Sequence, residues 1–174
     1  MDVDIRPIAA IPPGDMTESR SRAPHVRAPA RLIEYARQRY VALAPQATIE
    51  LLDNPSLAHV PGSAYYLRGL LKWQGRWIPA IDLHTLLRAY ANYVPVRLPY
   101  VLVVAYLAAS RRDLQYGALA LPALPQMIDV GDDSRCALPT DSDLWPLIAL
   151  SCFRHSGGAV PIVDCGRIFD VYHG

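Results

Sequence analysis

The chain has 174 residues and a mass of 19.2 kDa, with 52% hydrophobic and 19% charged residues, a globular composition that suits one ordinary domain or two very small ones. Seventeen basic and sixteen acidic side chains leave a net charge of +1, so no global field is available to bind nucleic acid or an acidic surface. Three cysteines without C-x-x-C spacing suit a reducing compartment, no signal-peptide-like apolar core opens the chain, and the longest apolar run, residues 100–109, is too short for a bilayer.

The expectation is a cytoplasmic protein without membrane insertion. Residues 1–30 carry Pro7, Pro12, Pro13, Pro24 and Pro29 among unpatterned charges. Proline removes backbone donors, so this stretch is expected to be a disordered leader, with partner docking as the minor alternative. From Arg31 the pattern becomes short and β-like. Leu32-Ile33-Glu34-Tyr35 and Tyr40-Val41-Ala42-Leu43 read as strands around a polar turn. Residues 48–52 are a strand or one helical turn, because five residues cannot settle a period. Residues 67–72 and 77–83 flank Trp73-Gln74-Gly75-Arg76, a hairpin with glycine at the turn. Residues 83–91 are the one good helix candidate. Strands are expected at 100–106 and 114–121 around Arg111-Arg112-Asp113, then at 147–153 and 159–163 around Gly157-Gly158. The prolines are expected to mark strand edges or ends.

The chain also repeats itself. Ile78-Pro79-Ala80-Ile81-Asp82-Leu83 returns as Val160-Pro161-Ile162-Val163-Asp164-Cys165. Upstream, Tyr40-Val41-Ala42-Leu43 resembles Tyr116-Gly117-Ala118-Leu119. The Tyr-to-Asp separation is 42 residues in one copy and 48 in the other. Two alike halves are therefore expected, about 31–90 and 98–171, within one domain at 31–174. Asp82 and Asp164 each fall where a strand ends and a short helix can begin, so both are expected to be structural N-caps. A convergent carboxylate pair is the minor alternative.

These residues resemble the CheW-like chemotaxis coupling proteins, whose hallmark is G-x-x-N-L-R-G-x-x-x-P-x-x-D-L. Here the stretch runs Gly69-Leu70-Leu71-Lys72-Trp73-Gln74-Gly75-Arg76-Trp77-Ile78-Pro79-Ala80-Ile81-Asp82-Leu83. Both glycines, the proline, the aspartate and the last leucine are in register. Glu50-Leu51 matches a Glu-Ile or Glu-Val pair upstream, and Pro61 lies near the proline that usually precedes the first glycine. The likeness covers about residues 31–171. It implies a mostly β, CheW-like fold of two small five-stranded β-barrels with short helices. It also implies a non-enzymatic adaptor without cofactor or metal, recruited to membrane-associated receptor arrays. The implied partners are the regulatory domain of a CheA-type histidine kinase and the cytoplasmic tip of methyl-accepting receptors. The implied partner-binding residues are Glu50, Leu51, Tyr66, Gly69, Leu70, Trp73, Gln74, Gly75 and Arg76.

Two departures motivate an alternative. Gln74 stands where the family has arginine and cannot make a bidentate charged contact. Leu121 stands where the family has aspartate. The alternative is a divergent CheW-fold scaffold or localisation protein, for example in type IV pilus signalling, without standard receptor or kinase coupling. Tyr65, Tyr66, Trp73 and Trp77 are candidate interface anchors, unless alternate rings point inward or the two tryptophans pair across the hairpin. Glu50 is either a charged partner contact or a solvated strand-edge residue. The five histidines share no ligand spacing, and no G-x-S-x-G elbow or phosphate-cradling loop occurs. An enzyme or small-molecule binder using the groove between barrels is the remaining alternative, to be recognised by an enclosed pocket with convergent polar groups.

Overall fold

The computed structural model describes residues 26–88, 97–108 and 113–173. Strands β1 (Arg27–Ala36) and β2 (Arg39–Leu43) form a hairpin, followed by β3 (Thr48–Asp53) and the two-residue β4 (Leu57–Ala58). The hairpin β5 (Leu67–Trp73) and β6 (Arg76–Ile81) leads into helix α1 (Leu83–Arg88). A second hairpin, β7 (Tyr100–Leu107) and β8 (Leu114–Leu121), precedes β9 (Gln126–Gly131) and helix α2 (Trp145–Ile148). Strands β10 (Ala149–His155) and β11 (Gly158–Val163) then lead into helix α3 (Cys165–His173).

The strands form a five-stranded sheet, β10-β11-β2-β1-β9, and a six-stranded sheet, β3-β7-β8-β6-β5-β4. Each sheet mixes both halves of the sequence. The β1–β2 hairpin of the first half lies beside β9, β10 and β11 of the second. The β7–β8 hairpin of the second half lies beside β3 to β6 of the first. The exchange obeys the sequence repeat to the residue. Ala42 of β2 pairs in parallel with Ile162 of β11, and Ala118 of β8 pairs in parallel with Ala80 of β6. The repeat aligns Ala42 with Ala118 and Ile162 with Ala80. The mostly β architecture of two curled sheets thus carries an internal pseudo-twofold relation.

Alternation of side chains across the pleat divides the apolar residues into three layers. Ile33, Val41 and Leu43 of one sheet meet Leu102, Val104, Leu119 and Leu121 of the other, with Leu86 of α1 and Ile168 and Phe169 of α3, in the main core between the sheets. Leu71, Trp73, Ile78, Val101, Val103 and Ala118 fill the concave face of the six-stranded sheet. Leu32, Ala42, Phe153 and Val160 fill that of the five-stranded sheet. The central strands β7 and β8 are apolar on both faces for this reason, as expected of strands with no wet side.

Several expectations need correction. The strand expected at 147–153 starts at Ala149, because Pro146 opens the single turn of α2 instead. β1 begins at Arg27, inside the stretch assigned to the leader, because β9 supplies a ladder for Arg27 to Leu32; residues 1–25 lie outside the described residues. Residues 89–91 of the expected helix and Arg111-Arg112 of the expected turn lie outside them too. Pro29, Pro79 and Pro161 stand inside central strands, not at edges or ends. Pro79 pairs with Leu70, and the parallel ladder with β8 starts only at Ala80. Pro161 precedes the parallel contact at Ile162 in the same way, and Pro29 precedes the β2 ladder, which starts at Arg31. Each proline therefore sits where the strand is paired on one side only, and the missing N–H breaks no second ladder.

Candidate partner-binding surface

The hallmark stretch folds as the β5–β6 hairpin. Gln74 and Gly75 make its turn with φ of 47° and 75°, the two left-handed positions that a two-residue type I′ turn requires. Gly75 has open space around it, whereas Gly69 does not. A Cβ on Gly69, at φ 145°, would lie 2.6 Å from the Ala58 carbonyl oxygen. That glycine lets the edge strand β4 approach; it presents no side chain to a partner.

Register assigns the two tryptophans to opposite faces. Trp73 pairs with Arg76, and Trp77 pairs with Lys72, so they do not pair with each other. Trp73 is only 6% exposed and points into the concave core, while Trp77 is 57% exposed. The Trp73 indole N–H donates to Glu50 Oε2 at 2.7 Å. Its ring meets Tyr116 at 5.1 Å between centroids, and the Arg76 guanidinium lies 5.5 Å over the same Tyr116 ring. β3 and β5 are separated in the sheet by β7, β8 and β6. The Glu50–Trp73 bond therefore closes the curled sheet across its mouth by side chains, where no backbone ladder does so. Glu50 is exposed on the edge strand β3, and its carboxylate is engaged by the Trp73 indole. Arg76 faces the concave side with Trp73.

On the outer side, Lys72 Nζ lies 6.0 Å over the Trp77 ring. Leu70 and Pro79 are half-buried on that face, with Gln74, Gly75 and Arg76 exposed at the tip. Leu51 is exposed on β3. Tyr66 lies elsewhere. It is half-buried against the main core and meets Tyr65 edge to face at 5.1 Å. Both tyrosines line a cleft of about 660 Å³ with Leu86 and Leu87 of α1, the 141–144 segment and Val171. The expected site residues thus divide between the hairpin and this cleft. Tyr116 and Lys72 complete the hairpin cluster. Tyr116 had no signal beyond its place in the repeat.

Asp82 is 4% exposed. Its carboxylate accepts the Thr85 N–H at 3.3 Å and the Thr85 hydroxyl at 2.7 Å. Asp164 accepts the Arg167 N–H at 3.1 Å. The two aspartates thus cap α1 and α3 at equivalent places, and each N–H of their own is taken, by the Tyr66 and Ile148 carbonyls. The carboxylates face different helices and form no pair.

A second polar cluster pins the β1–β2 turn to α2. Asp141 accepts the Trp145 indole N–H at 2.8 Å and pairs with Arg39. The Tyr35 hydroxyl interacts with the same guanidinium. Burial disfavours the Asp141 charge, but the Trp145 and Arg39 hydrogen bonds outweigh it and hold the carboxyl below its usual range. A depressed carboxyl stabilises the fold above its unfolded value, near pH 4, and the contribution is lost as pH falls through the folded value. Urea titrations between about pH 5 and 2 are expected to show Asp141→Asn losing less stability than wild type over this arm. Because both partners are partly exposed, the difference is below about 1 kcal/mol; identical slopes would remove Asp141 from the acid response. The adjoining cleft, about 670 Å³, includes Tyr35, Arg39, Asp141 and His155, but its charged pair is already satisfied internally. Among the described residues no group of three His, Cys, Asp or Glu side chains is placed to hold a metal, and no helix is long and apolar enough to cross a membrane.

No protein-family model matches the sequence, and no curated protein matches it. The structure is similar to the crystal structure of the scaffolding protein TtCheW from Thermoanaerobacter tengcongensis. The TM-score is 0.65 at 15% identity, covering 83% of this chain and 94% of that one. The chain has a CheW-like fold.

Proposed function

We propose that the chain is a non-enzymatic adaptor of a bacterial chemosensory complex, coupling methyl-accepting receptors to a CheA-type histidine kinase in the cytoplasm. The observation that carries this reading is the CheW-like fold joined to the hallmark hairpin, whose outer face leaves Trp77 57% exposed. A large rigid ring beside Lys72 at a protruding turn suits a hot-spot anchor, burying much area at small entropic cost. Leu70, Gln74 and Gly75 form its surround, Arg76 lies on the other face of the hairpin, and Leu51 extends the surface along β3. Tyr66 belongs to a separate contact at the cleft. Trp73, Glu50 and Gly69 act through the shape of the sheet, since their side chains or neighbours are engaged internally. Coupling of this kind needs different affinities for two signalling states of a partner.

Titration calorimetry against the regulatory domain of a CheA-type kinase is expected to give saturable binding with Kd at or below about 10–100 μM. Trp77→Ala with Gln74→Ala is expected to weaken it about 10- to 30-fold, the loss typical of one hot-spot side chain, with an unchanged melting temperature. No saturable binding to either the kinase domain or a receptor tip would refute the adaptor reading.

Leu121 favours a second reading. It is 1% exposed in the main core, so this position offers no acidic group to a partner. Retained kinase binding with no receptor binding is the result that selects a divergent scaffold or localisation protein.

A further inference from the structure

Cys136 and Cys152 lie opposite one another across an irregular pair of segments. Arg135 and Phe153 form an antiparallel bridge, which places the next residue on one segment, Cys136, against the preceding one on the other, Cys152. The Cys136 N–H donates to the Cys152 carbonyl at 3.0 Å. The Cys136 thiol donates to Cys152 Sγ at 3.4 Å. Cys152 is buried on β10, and Cys136 is half-buried outside any helix or strand. A disulfide needs the sulfurs about 2.05 Å apart, a small further approach that the irregular Cys136 segment can supply while β10 stays in its sheet. The third cysteine, Cys165, is buried at the start of α3.

We propose that Cys136 and Cys152 are a thiol pair that closes reversibly to an intramolecular disulfide when the protein meets a peroxide. Cys136, the more accessible sulfur, attacks one peroxide oxygen as thiolate. The O–O bond breaks, hydroxide leaves, and Cys136 becomes a sulfenic acid. Cys152 sulfur then attacks Cys136 sulfur. The S–S bond forms, the S–O bond breaks, and the hydroxyl leaves as water with the Cys152 proton. Two thiols and one hydrogen peroxide give one disulfide and two waters. Burial and the Cys136 contact push the Cys152 thiol up to about 12, so Cys152 is a poor first nucleophile and the resolving partner. The bond would close residues 137–151 into a loop. That loop carries α2 and the Asp141–Leu144 wall of the cleft lined by Tyr65 and Tyr66, so oxidation restricts one wall of that cleft.

The test is mass mapping of the full chain after hydrogen peroxide, with free thiols alkylated under denaturing conditions. Trypsin cuts after Arg135 and Arg154 and releases both cysteines in one peptide. The expected product has lost two hydrogens and takes no alkyl group; a second cut before Asp141 leaves two fragments joined until dithiothreitol is added. Cys165 remains alkylatable. The oxidised chain is expected to melt about 5 °C or more higher, because the closed loop constrains the unfolded ensemble, and to return on reduction. Cys136→Ser is expected to lose this shift, and Cys136→Ala serves if the serine variant folds poorly. Sulfinic or sulfonic Cys136 beside an alkylatable Cys152, or covalent dimers in place of the internal bond, would overturn the proposal.

Discussion

Trp73→Ala is expected to lower folding stability by about 3–5 kcal/mol, the usual cost of emptying a buried aromatic site. Trp73 is 6% exposed and fills the concave face of the six-stranded sheet with Leu71, Ile78, Val101 and Val103. Its truncation removes that volume, the Tyr116 contact and the hydrogen bond that ties β5 to β3 across the mouth. Trp73→Phe separates these parts. It keeps most of the ring but removes the hydrogen bond to the exposed Glu50 carboxylate, which water can then solvate, at a cost of about 0.5–1.5 kcal/mol. Equilibrium urea unfolding of wild type, Trp73→Phe and Trp73→Ala reads the series directly. A Trp73→Ala variant within about 0.5 kcal/mol of wild type, the range of ordinary surface changes, would show that the mouth is closed by other contacts. The series also decides how binding data are read. Loss of partner binding in Trp73→Ala reports a damaged sheet, whereas loss in Trp77→Ala reports a missing contact.

The second large effect is expected at Gly117. A Cβ there would sit 2.2 Å from Phe169 Cζ, far inside contact distance. Phe169 is fully buried and stacks on Tyr106 with centroids 4.8 Å apart and planes 5° from parallel. Gly117 is thus the floor on which the α3 ring lies. Gly117→Val must displace the ring, losing about 1.5–3 kcal/mol of its burial and adding about 1–3 kcal/mol of overpacking. The repeat supplies the compensating change. At the equivalent positions the first half has Val41 and Leu87, a larger strand residue with a smaller helix residue. Gly117→Val with Phe169→Leu is therefore expected to be more stable than the two single effects added together, by at least about 1 kcal/mol. Strict additivity in a double-mutant cycle would mean that the ring and the glycine do not share one space.

The hairpins, the repeat and the two helix-capping positions were readable from residues near each other in the chain. Apolar alternation, a Gln-Gly turn and an aspartate before an apolar turn each report local backbone geometry, and local geometry is what short-range sequence encodes. β9 was not readable in that way. Gln126-Met127-Ile128-Asp129-Val130-Gly131 has exposed or half-buried residues up to Gly131, and it is held as a strand by Arg27 to Leu32, far away in sequence. The four-residue α2 was hidden because a proline and three apolar residues fit a strand start as well as a helical turn.

Two alike halves, each a set of short strands ending in a capped helix, are legible in the residues alone, because repetition and turn chemistry survive without tertiary context. Long-range strand pairing makes the halves exchange hairpins, so that each sheet takes strands from both. The tertiary fold also buries Trp73 and exposes Trp77. Strand register places them on opposite faces, but which face is the inside depends on how the sheet curls, and that curl brings Glu50 of β3 to Trp73 of β5 although three strands separate them in the sheet. The nearness of Cys136 to Cys152 has the same origin, since no spacing rule brings two segments together before the sheets that hold them have formed.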